Sequence, residues 1–362
     1  MIAQKRLWER LATLGGSVKR GGRASVGMVV VLLLFGCTPV ATVQRAEGHV
    51  FGTVVAVSIY GESPARAAEL SALVLNEFDR LHHKFHAWEP GMLTALNDRI
   101  ARGEPFDADA EMVNLLKSAT VLAQRSDNLF NPAIGHLIRL WGFQSSDITV
   151  HAPTPDAIKF WVDANPRMTD LRYAGSTVSS VNKAVMIDMG GYAKGYALDR
   201  AAAILRAAHV PAALIDIGGN VLAIGQPGRR AWQVGIRDPR GDGSIAVVSL
   251  HDNEAIGTSG DYQRYFITAG KRHPHIIDPR TGQTIDLVAS VTIIASGGKD
   301  VGLRSDGNSK PLFIAGPAGW RAMAQHLGLD QVLLIDAEKN VAMTESMRKR
   351  IEMERPIGTG TR

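Results

Sequence analysis

Residues 184–224 read AVMIDMGGYAKGYALDRAAAILRAAHVPAALIDIGGNVLAI, and the order of elements in this stretch decides the fold class. Ala184-Val185-Met186-Ile187-Asp188 is a short apolar run of strand character, closed by Gly190-Gly191. The Ala- and Leu-rich segment 193–209 predicts a helix. Segments 212–216 and 221–224 read as strands around Gly218-Gly219, where a tight turn and a bulge are equally good readings.

Outward from this stretch the chain continues to favour strands. VFGTVVAVSIY (50–60) suits a first strand, and 232–237, 246–250, 265–268, 290–295 and 331–335 add five more. Helices are expected at 65–84, capped by Ser63 with Pro64 in the first turn, at 111–125, at 156–164 after Thr154-Pro155, and after Pro317. No repeat, heptad run or low-complexity tract interrupts them. Runs of strands with a few helices between them indicate an α+β fold rather than a doubly wound sheet.

Composition agrees with a globular chain. The 362 residues are 45% hydrophobic and 21% charged, with a single cysteine, so no intrachain disulfide can form. The net charge of +5 points towards nucleic acid only until it is divided along the chain. Residues 1–36 hold six basic side chains and one acid, leaving 34 of each from Cys37 onward. A basic footprint would have to lie on the folded part, so no nucleic-acid partner is expected.

That basic leader runs into VGMVVVLLLF (26–35), an apolar run too short to span a bilayer, then Gly36 and Cys37. It resembles a bacterial lipoprotein signal, which implies cleavage before Cys37 and a lipid on its thiol. The expected organisation is a signal peptide at 1–36, a tether at 37–47, one domain at 48–350 and a tail at 351–362. The implied location is the cell envelope, facing the periplasm.

Four segments carry possible chemistry. In Asp188-Met189-Gly190-Gly191-Tyr192-Ala193-Lys194 the glycines allow close approach of a ligand, and the following helix start offers N–H groups to a phosphate. A purely structural turn is an equal reading. Asp216-Ile217-Gly218-Gly219-Asn220 and Thr258-Ser259-Gly260-Asp261-Tyr262 are likewise turns or pocket walls. In His275-Ile276-Ile277-Asp278-Pro279-Arg280-Thr281-Gly282 the last five residues have strong turn chemistry, while His275 has the character of a general base or of a structural histidine. His82, His83 and His86 share helical metal-ligand spacing, but without a carboxylate cluster a solvated helix end is the simpler reading.

Together GGYAKGYALD, IDIGGN, TSGDYQRYF and HIIDPRTG, in this order and spacing, resemble the ApbE family of FAD:protein FMN transferases. Phe51-Gly52-Thr53 and Phe130-Asn131-Pro132 are weaker matches. The resemblance implies an ApbE-like, T-fold-like single domain of two lobes that moves FMN from FAD, with Mg²⁺, onto a Ser or Thr of a target protein bearing an FMN-binding domain, releasing AMP. It implies that Phe51, Ala87, Trp88, Asn131, Asp188, Lys194, Thr258, Asp261, His275 and Ile276 contact FAD. His275 and Asp306 are the implied catalytic residues, and Gly191, Ala193 and Asp306 the implied metal ligands.

The chain departs from the family in its last motif, where Asp and, four residues on, Thr bind the metal. Here Asp306 is kept and Lys310 holds the Thr position, with Ser309 one residue away. An ammonium repels a cation, which leaves three readings: Ser309 substitutes as a ligand through a shifted turn, Lys310 neutralises the pyrophosphate in place of part of the metal charge, or the protein only binds FAD or splits it to FMN and AMP.

Overall fold

Thr53–Tyr60, with sequence TVVAVSIY, is rich in β-branched residues that suit a pleated, buried surface. It pairs antiparallel with Val43–Val50 across the two-residue turn Phe51-Gly52. Both turn residues have positive φ, 57° and 66°, which matches the twist of the flanking strands. The expected tether therefore gives way to a strand at Val43 rather than ending at Glu47. VQRAEGHV lies at a sheet edge with alternate residues exposed, and an edge strand carries few of the apolar residues that betray a strand.

The computed structural model describes residues 42–145 and 152–354. The leader, Cys37 and the start of the tether lie outside the described residues. No helix among those described is long and apolar enough to cross a membrane.

Eight strands form one sheet in simple chain order: Val43–Val50, Thr53–Tyr60, Ala212–Ile217, Asn220–Ile224, Glu254–Gly260, Val288–Ser296, Val332–Asp336 and Val341–Met343. Every neighbouring pair is antiparallel. Gly218-Gly219 is a two-residue hairpin turn, with Ile217 opposite Asn220 and φ of 59° and 90°.

Helices cover one face of the sheet. Pro64–Phe85, Ala193–Ala207 and Val301–Leu327 contribute Phe78, Leu81, Leu198, Leu205, Leu312 and Phe313 to the core there. A second sheet of Trp232–Arg237, Ser244–Leu250 and Ile351–Met353 covers the other face through Trp232, Ile236, Val248 and Leu250. Residues 351–353, expected in the tail, thus pair with 246–248. With both faces covered, the central strand Val288–Ser296 is buried along all but its last residue. A third cluster, Trp141, Phe143, Ile158, Phe266 and Ile277, forms beside the sheet. The α+β reading holds, and the described residues belong to one compact unit.

Two further expectations are corrected. Residues 184–188 join no sheet and make only an isolated bridge, Ile134 with Met186. Their backbone groups are satisfied elsewhere. Asn97 Oδ1 accepts the Ile187 N–H at 2.7 Å and Asn97 Nδ2 donates to the Ile187 carbonyl at 2.9 Å. The Met186 and Asp188 N–H groups donate to the carbonyls of Ala133 and Pro132.

The last long helix begins at Val301, sixteen residues before Pro317, and kinks at Gly316 (φ 70°). Its first half is buried nearly all round and contains many small and polar residues, which hides the amphipathic period that identifies a surface helix.

Candidate active site

The contacts that bring the 301–327 helix onto the sheet and onto the 193–207 helix use glycine where no side chain fits. A Cβ on Gly257 would stand 2.5 Å from the Ser305 carbonyl oxygen, and one on Gly195 would stand 2.4 Å from that of Gly302. The 301–327 helix is thereby pressed onto the middle of the 254–260 strand and the start of the 193–207 helix. Lys310, one turn after Asp306, packs its stem against the turn at Gly191, while Asp306 meets Gly195.

A cavity of about 950 Å³ opens at this junction. Aromatic and apolar groups from different elements form much of its wall: Phe51 from the hairpin turn, Ala87 and Trp88 after the 64–85 helix, Phe130, Tyr265 and Ile276. The Phe51 ring is packed edge-on against Phe78 and His82, at 6.2 and 5.5 Å. Arg139 lies 5.4 Å from the Trp88 ring centre.

The polar wall is mainly cationic. Lys194, Arg264 and Lys310 line the cavity with His275, against the carboxylates of Asp188 and Glu89. His275 Nδ1 lies 3.2 Å from the Arg264 carbonyl oxygen, so the proton is assigned to Nδ1, leaving Nε2 as the acceptor. Burial, then the charges of Arg264 and Lys194, lower the pKa of this imidazole to about 3. His275 is therefore neutral at physiological pH and able to take a proton. Burial raises the Asp188 carboxyl pKa, while the Gly190 N–H, donating to Oδ1 at 2.7 Å, works in the opposite direction.

Of the residues singled out in the sequence, Phe51, Ala87, Trp88, Asn131, Asp188, Gly191, Ala193, Lys194, Thr258, His275 and Ile276 all line this one cavity. Some have prior commitments. Asn131 donates to the Pro166 carbonyl at 2.8 Å and accepts the Ala133 N–H at 3.1 Å, holding its own turn. The Thr258 hydroxyl is bonded to that of Thr292 at 2.9 Å.

Asp261 and Asp306 do not line the cavity. Asp261 is 1% exposed and takes a bidentate pair from Arg240 at 2.7 and 2.6 Å. It braces the loop after the 254–260 strand. Asp306, also 1% exposed, accepts the Gly195 N–H on Oδ2 at 2.8 Å and the Lys310 ammonium on Oδ1. Ser309 cannot stand in as a ligand, because its hydroxyl is buried against Ser259 at 2.7 Å and donates to the Asp306 carbonyl at 2.6 Å.

This donor set does not fit Mg²⁺. Both carboxylate oxygens of Asp306 are taken, and the ammonium stands where a metal would meet it. At a separation of ~4 Å a fixed positive charge costs a neighbouring cation roughly 4 kcal/mol per unit charge at an effective dielectric constant of about 20.

Sequence reasoning placed Arg264 just behind a candidate pocket segment without giving it a role, and it gave Glu89 none. Arg264, which donates to the Phe143 and Ser145 carbonyls, lies within the TSGDYQRYF motif, where position alone cannot show which side chains turn inward. Glu89 joins His82 and His86, with ligand atoms within 4.8 Å of one another. However, His86 Nδ1 accepts the N–H groups of Trp88 and Glu89 at 3.2 and 2.9 Å. That places the proton on Nε2, which faces Glu89 at 3.7 Å, and leaves His86 no free lone pair for a metal.

An α+β domain whose helices and main sheet frame a cationic, aromatic-walled cavity has the makings of a nucleotide-handling protein. The sequence profile of the ApbE family matches residues 51–333, and the chain belongs to that family.

Among its relatives, an FAD:protein FMN transferase of Rhodobacter capsulatus is 39% identical over 335 residues, which cover 91% of this chain and 63% of that protein. The chain thus spans less than two thirds of that relative's length. A second, from Treponema pallidum, is 32% identical, with 86% and 89% covered. Among solved structures, the ApbE protein of Thermotoga maritima superposes with a TM-score of 0.78 at 28% identity, covering 87% of this chain and all of that one. The flavinyl transferase ApbE of Pseudomonas stutzeri, in its apo form, gives 0.73 at 26% identity, with 86% and 97% covered.

Proposed function

We propose that this protein is an FAD:protein FMN transferase that moves FMN from FAD to a Ser or Thr hydroxyl of a target protein bearing an FMN-binding domain. The observation that carries this reading is the placement of neutral His275 in a cavity wall with Lys194, Arg264 and Lys310. Aromatic walls suit the two ring systems of FAD, and the cations suit its pyrophosphate.

In the reaction the target hydroxyl oxygen bonds to the phosphorus on the flavin side, and the bond from that phosphorus to the bridging oxygen breaks. AMP departs with the bridging oxygen and its electron pair, and His275 Nε2 takes the hydroxyl proton. Fixed cations stabilise the charge gathering on the departing phosphate, which is where preorganised electrostatics contribute most. The carboxylate and hydroxyls around Lys310 do not fit Mg²⁺, and the protein's own groups perform each of these steps.

The leader sequence supports lipidation of Cys37 and a mature enzyme tethered to the envelope, facing the periplasm. Several acyl chains together hold far more firmly than one, so Cys37→Ala should move the protein from the detergent-rich to the aqueous phase on partition. Equal partition of the two proteins would remove the anchor.

Mass spectrometry of an FMN-binding domain incubated with the leaderless protein and FAD tests the activity. A mass gain equal to covalent FMN, with AMP released, is expected. Free FMN with AMP would make the protein a pyrophosphatase, and bound FAD without products would make it a flavin-binding protein.

A further inference from the structure

Lys310 sits in an unusual place for a lysine. It lies on a buried helix, pairs with an aspartate that is 1% exposed, and yet still lines the cavity. Its ammonium is held by two acceptors from one residue, the Asp306 carboxylate and, at 2.8 Å, the Asp306 carbonyl oxygen. Its aliphatic stem is packed over the Gly191 turn, where a Cβ would meet Lys310 Cε at 3.4 Å. Asp306 is fixed in turn by the Gly195 N–H at 2.8 Å. A long, mobile side chain is thus held as a point charge at a defined position, between Asp306 and the turn that begins the 193–207 helix. Lys194 and Arg264 complete the cationic wall.

Such a charge is arranged to do the work of a bound cation. We propose that the Lys310 ammonium, fixed by Asp306 over the Gly191 turn, is a built-in replacement for a divalent metal and itself neutralises the pyrophosphate of the flavin nucleotide. This inference rests on the transferase reading for the reaction but not for the binding. In the transfer step the ammonium keeps its protons. The bond to the flavin-side phosphorus forms, the bridging P–O bond breaks towards AMP, and Lys310 meets the new negative charge on the departing phosphate. A lysine serves as a compact point charge in this way at many phosphate sites.

The test compares the leaderless protein with two variants, each first checked for a cooperative unfolding transition. Wild-type protein should transfer FMN at the same rate in EDTA as in added Mg²⁺. Lys310→Thr should lose at least tenfold in EDTA and recover with Mg²⁺. Metal binding is read separately from activity, by the electron paramagnetic resonance of Mn²⁺ titrated into the FAD-bound protein. Wild type should leave Mn²⁺ free, and Lys310→Thr should bind one equivalent.

The second variant, Asp306→Asn with Lys310→Met, removes both charges together, because removing only one partner of a buried pair leaves the other uncompensated. It should bind FAD at least tenfold more weakly, whether EDTA or Mg²⁺ is present. Stoichiometric Mn²⁺ binding by wild type, or loss of wild-type transfer in EDTA with rescue by Mg²⁺, would overturn the proposal. If wild type transfers nothing under any condition, the transferase reading fails by itself. The Mn²⁺ titration and the FAD affinities then still decide the role of Lys310, and unchanged affinity in the double variant overturns it.

Discussion

Asp306 on the 301–327 helix accepts the N–H of Gly195, and Asp199, one turn beyond Gly195, accepts the N–H groups of Gly302 and Leu303, all at 2.8 Å. Each helix therefore caps the other's free N-terminal donors, which have no partner within their own helix. The helices meet glycine to glycine, since a Cβ on either Gly195 or Gly302 would stand 2.4 Å from the other's carbonyl oxygen. This reciprocal cap holds the Asp306 carboxylate still, and with it the ammonium of Lys310.

The crossing predicts that Gly195→Ala is costly although alanine is the better helix former. A methyl against fixed backbone forces the helices apart, and overpacking of this kind costs about 1–3 kcal/mol. The midpoint of urea unfolding should fall accordingly, and FAD affinity should fall with it because Lys310 moves. A rise in the midpoint would show that the crossing is loose.

Asp199 gives the crossing a pH dependence. Burial, against the Leu303 and Gly302 N–H groups, raises its pKa to about 6, above the unfolded value of about 3.9. A raised folded pKa means that the native state holds the proton more tightly than the unfolded state. The stabilisation from this group is complete below about pH 4 and is lost as pH rises through about 6. Asp199→Asn lacks this titration. Its stability deficit relative to wild type should be larger at pH 4.5 than at pH 7, as read from urea midpoints at the two values. A deficit that grows with pH would reverse the sign and refute the assignment.

His275→Ala should slow transfer by about 100- to 10,000-fold, the usual contribution of a positioned base, while FAD stays bound. Because the free imidazole titrates at about 3, kcat/KM should show no acidic limb from this group between pH 5 and 8. The bound pyrophosphate offsets the repulsion from Arg264, Lys194 and Lys310, so the acidic limb in kcat should lie at higher pH than that in kcat/KM. An acidic limb near pH 6.5 in kcat/KM would mean that the cations do not act on His275.

Trp88 offers its ring to the cavity beside Arg139. Trp88→Ala should weaken FAD binding by about 0.5–1.5 kcal/mol, the usual size of an aromatic pair, or roughly twofold to thirteenfold. Titration followed by flavin fluorescence measures this. An unchanged affinity would place both ring systems of FAD elsewhere in the cavity.

Much of this protein is legible in its sequence because local chemistry decides it. Ser63-Pro64 and Thr154-Pro155 start their helices as expected, the Ser63 and Thr154 hydroxyls each accepting an N–H three residues on. The Asp278–Gly282 turn closes on itself through the Asp278 carbonyl. Turn and cap residues act within a few positions of themselves, so a linear reading finds them.

What escaped a linear reading depends on partners far along the chain. The 184–188 run looks like a strand, yet Asn97 and the 132–133 carbonyls take its hydrogen bonds. The first half of the 301–327 helix has Gly, Ser, Asn and Pro in place of helix formers, because its neighbours demand small residues rather than a helical period. Asp261 and Asp306 both stand in motifs that name them as ligands, but Arg240 and Lys310 claim their carboxylates. Sequence alone pointed to the family, to the α+β class and to most of the residues gathered around the cavity. Only the tertiary structure decided which charges face that cavity and which are spent on one another, because an ion pair is chosen by distance in space and not by position along the chain.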